Sequence, residues 1–582
     1  MTTNNETSEE NTTVTTESIV TNITDATSQS IFNQKSITIV ESSNELEKLD
    51  KWDLRSVYVN NDGKYDYSVS KSLWVKDETY NTYDFKSAQP IQYYFDQLND
   101  WNDAIELAQL NMFIKGYSPK MIFPSGVIKI KRPIWGAAAL GMYLNEKYPD
   151  LGIYNSTNNT FLAYPPLIIE GQGRDATTIE FAGGKGRGTP DDLTWVNYGA
   201  IHTAPYDVLE QCSGNAKIFY HHGYWTRVNL KGFTLYGYNS DTNGDRPNCH
   251  GIVLFRGNRA FVSDVVINCF NGAGLLCDGY YDSFLEKFEI FQCGRMSPVY
   301  GEYKTKKLTT LDYQTYAPLH VMKSDIGDGW DNCNFLRFLN FHIEDNYNAV
   351  ADIIVTGDSS PIWIENIHFE CDSSDGIGQL GTKTVIALGE YGVSRFAQDG
   401  IENYVYGSEK FTGNGGGYVY WSRGAGYVPA YADGIVLGQY TQLNIDNLEF
   451  PNALSVSING GNASALLKAN KCSFGSINNS ANASQIQLTD CNISSYKQSY
   501  GLCPVMNNVN VSGPIEINNS LSTLENMIVL NNVTCEYATG TIQYGNVNLV
   551  STSSTTGTTL FISDGSNNIY DNYIVNTLGE LK

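Results

Sequence analysis

The chain has 582 residues, 41% of them hydrophobic, 12% aromatic and only 17% charged, with 53 Gly and 39 Tyr, which is typical of a folded protein rich in β-structure. Its formal net charge of -24 argues against a nucleic-acid partner, because phosphate binding draws on clustered Lys and Arg. The 11 cysteines form no Cys-x-x-Cys pair and no apolar run has the length of a membrane span, so we predict no disulfide framework, metal site, cofactor or membrane insertion.

The N-terminal end divides into a polar tail and a cap. Residues 1–45 hold too few large apolar groups to order themselves, which predicts a disordered tail or a tether to a larger particle. The start, MTTNNETSEE, lacks the basic and apolar stretches of a signal peptide, so we expect synthesis in a cytoplasm. Residues 46–120 form the predicted cap, where a short helix places five apolar side chains on one face: Leu98, Trp101, Ile105, Ala108 and Met112.

Two segments after the cap each have the pattern strand, turn, strand. MIFPSGVIKIKRPIW at 121–135 turns at Pro-Ser-Gly, and PPLIIEGQGRDATTIEF at 165–181 turns in a glycine-rich stretch. The second turn lacks the third glycine and the helix of a nucleotide-binding loop, so nucleotide binding is not predicted. We interpret the two segments as the first coils of a solenoid that the cap helix closes.

Beyond residue 225 one hexamer recurs, with apolar residues at positions one, four and six. Most starts lie 18 to 32 residues apart, which predicts stacked coils, while a gap of 53 residues suggests two coils and gaps of 37 and 44 suggest insertions. The twelve copies are LKGFTL at 230, VSDVVI at 262, LEKFEI at 285, FLNFHI at 338, IENIHF at 364, IENYVY at 401, IDNLEF at 445, ANKCSF at 469, LTDCNI at 488, MNNVNV at 506, LNNVTC at 530 and YGNVNL at 544.

Position three of the hexamer marks a corner between two strands. It is Asn in seven of the twelve copies and Asp in two, and Asn tolerates the left-handed backbone of a bend better than most residues. Stacking would align Asn340, Asn366, Asn403 and Asn447 as a structural ladder of amides. The predicted fold class is therefore all-β, a right-handed parallel β-helix that occupies 121–450 with loop insertions and continues over 451–582 into a C-terminal β-rich region.

With these features the chain resembles members of the pectate-lyase-like β-helix superfamily, and among them the tailspikes of bacteriophages. The likeness rests on the helix with Asp100, Ala104, Ile105 and Ala108, on IFPSGVIKI and LIIEGQGRDATTI, and on the Asn-cornered coils. It implies a homotrimer, a C-terminal trimerisation or binding region, attachment to the phage tail or baseplate through the N-terminus, and a place in the virion. It also implies depolymerising or receptor-binding activity on bacterial capsular polysaccharide or lipopolysaccharide O-antigen. The sequence shows no pectate-lyase calcium or arginine motif that would transfer a mechanism.

Two hexamers, FLNFHI and IENIHF, start 26 residues apart and are predicted to stack as adjacent coils. Stacking places His342 on His368 at the outward fifth position and Glu344 on Glu370 two residues further on, about 4.8 Å apart. Three further acidic residues lie at the edges of this candidate catalytic patch: Asp345, Glu365 and Asp372.

The patch fits more than one chemistry. Paired carboxylates fit glycosidic hydrolysis, in which one acts as an acid and the other as a base or nucleophile. A lyase would instead use His or Tyr as a base beside a neutralised uronic carboxylate. If this strand faces the threefold axis of a trimer, the same side chains are interface contacts.

Aromatic residues provide the candidate substrate-binding surface. Loops that project from a solenoid make the walls of binding grooves, and the predicted insertions at 294–334 and 407–432 are rich in rings. Packing between subunits is the alternative explanation for these rings. The candidate substrate-binding residues are Trp330, Trp363, Tyr418, Tyr420, Trp421 and Arg423.

The sequence thus predicts a phage tailspike that depolymerises a bacterial surface polysaccharide by endo-glycosidic hydrolysis. A polysaccharide lyase that acts by β-elimination, a non-catalytic glycan receptor-binding spike and a purely structural β-helix are the alternatives. The paired carboxylates favour an enzyme over a structural protein, but they distinguish it less well from a binding spike.

Overall fold

The computed structural model contains a small N-terminal sheet, short helices and one long parallel β-helix. It describes 91–114, 120–151, 166–183, 199–203, 227–237, 246–294, 317–322, 333–346, 351–370, 384–388, 418–427, 434–448, 454–458 and 465–550, with short gaps inside several ranges, and otherwise only residue 46 and the strands given below. The predicted tail lies outside the described residues except at 38–40, and so do most of the two predicted insertions.

The N-terminal region holds a four-stranded sheet, whose first strand lies in the predicted tail, and two helices in the predicted cap. The strands are β1 (Thr38–Val40), β2 (Ser56–Val59), β3 (Gly63–Ser68) and β4 (Leu73–Lys76), and the helices are α1 (Ile91–Leu98) and α2 (Trp101–Ile114). Two helices replace the single predicted one because Asn99, with φ 53°, breaks the chain between them. Leu98 is therefore exposed, whereas Ile105 and Ala108 are buried against the first coils, as the helical pattern predicts.

The first coils alternate short strands with turns and carry one further helix. Their elements are β5 (Lys120–Ile122), β6 (Gly126–Ile130), β7 (Ile134–Trp135), α3 (Ala137–Lys147), β8 (Tyr154–Asn155), β9 (Thr160–Phe161), β10 (Leu167–Glu170), β11 (Thr177–Phe181), β12 (Gly199–His202), β13 (Val228–Tyr236), β14 (His250–Asn258), β15 (Ala260–Asn268), β16 (Leu275–Phe291), β17 (Leu319–Met322), β18 (Asn334–Glu344), β19 (Ile353–Val355), β20 (Ile362–Glu370) and β21 (Thr384–Leu388). The hairpin of β8 and β9 lies outside the solenoid sheet.

The later coils continue the parallel stacking as far as the strand Thr558–Ser563. Their elements are β22 (Tyr418–Tyr427), β23 (Gly434–Leu437), β24 (Gln442–Asp446), β25 (Leu454–Ile458), β26 (Leu466–Asn470), β27 (Ser473–Asn479), β28 (Gln485–Thr489), β29 (Asn492–Gln498), β30 (Val505–Val511), β31 (Ile515–Asn519), β32 (Asn526–Cys535), β33 (Ala538–Gln543), β34 (Gly545–Val550), β35 (Ser553–Ser554), β36 (Thr558–Ser563) and β37 (Ile569–Val575). Among the described pairings of this sheet only β36 with β37 is antiparallel.

Three faces run along the solenoid. Face 1 stacks β5, β10 and the first halves of β13, β15, β18 and β20; face 2 stacks β6, β11 and the second halves of those long strands. Face 3 stacks β7, β12, β14, the start of β16, β17, β19 and β21. The prediction of a right-handed parallel β-helix is confirmed.

The predicted corner separates face 1 from face 2. The third hexamer residue has a positive φ of 50° to 67° in ten copies, which include Gly232, Lys287 and Asn340. A left-handed backbone costs most L-residues about 1–2 kcal/mol, which explains the preference for Asn and Asp at this position. The side-chain amide of Asn366 donates from Nδ2 to the side-chain oxygen Oδ1 of Asn340 over 2.7 Å, so the predicted ladder forms between these two coils.

One coil assignment made from the sequence was wrong, and another lies outside the described residues. The 53-residue gap between LEKFEI and FLNFHI is one coil with a long insertion, because β16 pairs directly with β18. IENYVY at 401 lies outside the described residues, and the coil that follows β20 turns instead at WSRGAG, where Arg423 has φ 52°. Searching for apolar positions one, four and six misses this coil because glycines stand at positions four and six.

The interior is a continuous stack of apolar side chains from the cap to Cys535. Inward residues of each strand have near-zero exposure, and the largest fully buried side chains are Trp421, Tyr280 and Tyr496. None of the helices in the described part of the chain combines the length and apolar character needed to cross a bilayer.

Candidate functional site

Two outward rows on face 2 carry the predicted catalytic residues. The register pairs His342 with His368 and Glu344 with Glu370, as the spacing of the two hexamers predicts. Parallel pairing to β16 on one side and β22 on the other holds both strands in place. We call these four residues the His–Glu patch.

The side chains of the patch lie close together at the surface. His342 Nε2 is 3.6 Å from Glu344 Oε2 and 3.8 Å from Glu370 Oε2, and His368 Nε2 is 3.6 Å from Glu370 Oε2. The side chain of His342 is 24% exposed and that of Glu344 is 28% exposed, against 52% for His368 and 55% for Glu370. The patch therefore has a more enclosed half on β18 and a more open half on β20.

The sequence missed Glu289 as a neighbour of the patch. It pairs in register with His342 and continues the same outward row onto β16. The signal was available in LEKFEI, which has Glu at the fifth position, but the assumption of two coils in the 53-residue gap hid the contact. Arg174 Nη1 donates to Glu289 Oε1 over 2.5 Å, and Arg174 Nε is 3.6 Å from Asp264 Oδ1, so these charges compensate one another.

A groove of about 480 Å³ runs along the corner beside the patch. Its walls combine corner residues of four coils with the outward residues of face 2, so it contains carboxylates, imidazoles, amides and cations. The lining residues are Arg174, Asp264, Lys287, Phe288, Glu289, Asn340, Phe341, His342, Asn366, Ile367 and His368. Carboxylates, imidazoles, amides and cations, all of which can bind sugar hydroxyls, therefore face one space.

Face 1 carries a row of rings on the other side of the corner. Five outward residues follow one another in register from β15 to β22: Phe261, Phe284, Arg337, Trp363 and Tyr420. Trp363 stacks on Tyr420 with ring centroids 5.9 Å apart and planes at 11°, and the Arg337 guanidinium lies 4.9 Å from the Trp363 centroid. We call these five residues the aromatic row.

The other predicted binding residues have different positions. Trp421 is only 1% exposed and fills the core of its coil, so the interpretation of Trp421 as a surface contact for a glycan is wrong. Alternation along β22 explains this, because Tyr420 points outward and its neighbour points inward. Arg423 forms an ion pair with Glu365 at the corner, which places Glu365 outside the His–Glu patch.

Several predicted site residues fall outside the part of the chain that can be described. These are Asp345, Asp372 and Trp330, and for Tyr418 only its place at the start of β22 is described.

Three other histidines are buried on face 3 and are separate from the patch. Burial lowers the pKa of His250 to about 3 and that of His320 to about 3, and it holds the pKa of His202 well below its usual value. The Ala273 N–H donates to Nδ1 of His250 over 2.9 Å, which requires a neutral imidazole. These residues are core groups.

The fold also assembles metal-ligand donors that the linear sequence does not reveal. One donor atom each from His342, His368 and Glu370 lies within 4.8 Å of the others. They come from two strands 26 residues apart, so no short ligand motif appears in the sequence.

No family model matches the chain, and no curated protein matches its sequence. Similar solved structures include the surface adhesin PfbA of Streptococcus pneumoniae, with 11% identity, a TM-score of 0.41 and coverage of 85% of this chain and 98% of that one. They also include the tailspike of an Acinetobacter phage (12% identity, TM-score 0.34, 92% and 76% coverage) and a mannuronan C-5 epimerase module of Azotobacter vinelandii (10%, 0.31, 80% and 95%). The solved structures to which this chain is similar thus include a phage tailspike.

Proposed function

We propose that this protein binds a bacterial surface polysaccharide across the asparagine corner and hydrolyses it at internal linkages within the His–Glu patch. The observation that carries the proposal is the register that stacks Glu344 on Glu370 and His342 on His368 beside a groove of about 480 Å³. A structural β-helix needs no such cluster of titratable groups on its surface.

Hydrolysis requires one carboxylic acid to protonate the leaving oxygen and a second carboxylate on the other side of the bond. We assign the acid to Glu344, which is the less exposed of the pair, and the nucleophile to Glu370. Adjacent rungs are about 4.8 Å apart, close to the separation of roughly 5–5.5 Å that retaining enzymes use. The products are therefore expected to keep their anomeric configuration.

His342 has a positioning role in this scheme. Its Nε2 lies within 4 Å of both carboxylates, at 3.6 and 3.8 Å, and its ring meets the edge of Phe291 at a centroid distance of 5.6 Å. A protonated imidazole there stabilises the negative charge of whichever carboxyl is ionised at each step.

The aromatic row supplies the binding surface next to the patch. Sugar rings present C–H faces that pack on Trp and Tyr, and five in-register side chains at about 4.8 Å spacing form a platform long enough for several sugar units. Because only the corner separates this row from the groove, one glycan chain would contact both.

Cleavage by β-elimination is a second candidate, which a specific observation favours. Arg174 and Lys287 line the same groove as His342 and His368. A uronic acid carboxylate held by these cations would allow a histidine to remove the neighbouring proton. The absence of any activity would leave the third alternative, a glycan-binding spike without catalysis.

The test is a comparison of the wild-type chain with Glu344→Gln and Glu370→Gln on capsular polysaccharides and O-antigens from a panel of strains. We expect shorter polymers and new reducing ends with wild type, and at least about a 10³-fold lower rate in either variant, because each removes an obligatory group. Glu516→Gln, whose carboxylate pairs with Lys497 at 3.4 Å in the C-terminal coils, is the control.

The three candidates give different outcomes. Unsaturated, ultraviolet-absorbing ends would establish elimination and contradict the hydrolytic assignment. A polymer that binds but keeps its length would exclude catalysis. We further propose, from the resemblance to tailspikes, that the chain is a homotrimer attached to a phage tail through its N-terminus, which sedimentation and labelling of virions would test.

A further inference from the structure

We propose that the His–Glu patch is a binding site for one divalent transition-metal ion of the Zn²⁺ class. His342, His368 and Glu370 are the ligands, and Glu344 is a fourth donor beside them. Metal binding at this place goes beyond the proposed hydrolysis and does not depend on it.

The separations of the donor atoms fit such an ion. A tetrahedral Zn²⁺ with bonds of about 2.0–2.2 Å places its ligand atoms roughly 3.3–3.5 Å apart. In the patch the nitrogen–oxygen separations are 3.6, 3.8 and 3.6 Å. The ligand atoms of His342, His368 and Glu370 all lie within 4.8 Å of one another, so side-chain shifts of up to roughly an ångström would bring them to ligand geometry.

The chemistry of the donors selects the kind of ion. Two imidazoles and two carboxylates are the ligands that Zn²⁺, Co²⁺ and Ni²⁺ accept, whereas Ca²⁺ and Mg²⁺ prefer oxygen alone. Neutral imidazoles with two carboxylates carry a charge of about -2, which balances a divalent cation. Arg174, one of the cations that line the groove, is paired with Glu289 at 2.5 Å, which offsets its repulsion of the ion.

The fold holds the site in advance and leaves it open to solvent. Both ligand strands are paired in parallel on both sides, so binding orders few additional degrees of freedom. The side chains of His368 and Glu370 are about half exposed, so water can complete the coordination. A bound ion would occupy the carboxylates that hydrolysis needs, so Zn²⁺ should inhibit cleavage, a consequence that rests on the proposed function.

The experiment uses the full chain without an oligohistidine tag, dialysed against chelator and titrated with Co²⁺. We expect visible d–d absorption that saturates near one equivalent per chain and disappears when Zn²⁺ is added. His342→Ala and His368→Ala should each weaken Co²⁺ binding by at least about tenfold, because each removes one of the proposed ligands of the ion. Circular dichroism and thermal melting confirm that the variants are folded.

Glu365→Gln is the matched control. Its carboxylate lies on the same strand as Glu370, but it pairs with Arg423 on the far side of the corner, so the affinity for Co²⁺ should not change. Wild type that binds no Co²⁺, or binding that persists in both histidine variants, would overturn the site. Because these measurements contain no polysaccharide, loss of the metal site and loss of the hydrolytic function are distinguishable.

Discussion

The central coils, 285–370, and the C-terminal coils, 465–535, share one corner and one kind of core but differ in their outward rows. In the central coils the fifth hexamer position is Glu289, His342 and His368, three titratable groups in register. In the C-terminal coils the same row is Ser473, Asn492, Asn510 and Thr534, with Thr534 donating to Asn510 over 2.6 Å. The fold therefore needs only the corner and the inward residues, and the outward rows are free to carry chemistry.

Among the changes that compare the two regions, the largest effect is expected when a histidine of the central row is replaced by the asparagine found in the C-terminal row. His342→Asn should lower the rate of polysaccharide cleavage by about 10²-fold or more, because the imidazole between the two carboxylates is lost. Asn492→His, the reverse change, should leave the rate unaltered. Initial rates on the same polymer measure both, and equal rates for wild type and His342→Asn would remove His342 from the mechanism.

The coil that joins the two regions should be the most sensitive to core truncation. Trp421 is 1% exposed and its ring meets that of Phe369 edge-on at 5.9 Å. Trp421→Ala leaves a cavity and should destabilise the protein by about 3–5 kcal/mol. Denaturant unfolding gives this value, with Tyr420→Ala, an exposed neighbour on the same strand, as the control that should change stability far less.

Low pH should destabilise the part of the chain up to residue 370 more than the C-terminal coils. The reason is that the seven histidines of the chain all lie at or before residue 368. The pKa of His250 and that of His320 are lowered from 6.5 to about 3 by burial, so the unfolded chain takes up protons over this interval and the folded chain does not. Their contribution to stability is complete above about pH 6.5 and is lost as the pH falls toward 3, by up to about 1.4 kcal/mol per pH unit for each group.

Hydrogen exchange at pH 7.5 and at pH 5 measures this difference region by region. Protection should decrease around β14 and β17, where these histidines lie, and change little in β28 to β30. His320→Gln should flatten the dependence. Equal loss of protection in both regions would mean that other groups govern acid sensitivity.

The smallest effect concerns the corner, which both regions share. Asn508 has φ 54°, donates to Asp490 over 2.9 Å and accepts from Asn532 over 2.9 Å. Asn508→Ala should cost about 1–2 kcal/mol, and Asn508→Gly should cost less because glycine adopts this conformation without strain. Thermal denaturation of the pair measures the difference, and an equal loss in both would assign the whole effect to the amide ladder.

The sequence by itself determined the fold, because the period of the solenoid is local information. The apolar positions of each hexamer indicate which residues point inward, and Asn at the third position indicates where the chain bends. The register of FLNFHI on IENIHF was predicted from the 26-residue spacing alone. The pairing of His342 with His368 and of Glu344 with Glu370 was therefore predictable, since adjacent coils without insertions stack at equal positions.

Tertiary structure decided what lies beyond a long insertion. Three features depend on which coils become neighbours after the insertions. They are the place of Glu289 next to His342, the corner at WSRGAG, and the inward direction of Trp421. The entropic cost of closing a flexible loop grows only slowly with its length, so loop length does not reveal the partner of a strand. The approach of Arg174 to Glu289, across 115 residues of chain, is set only by the stacking of the coils.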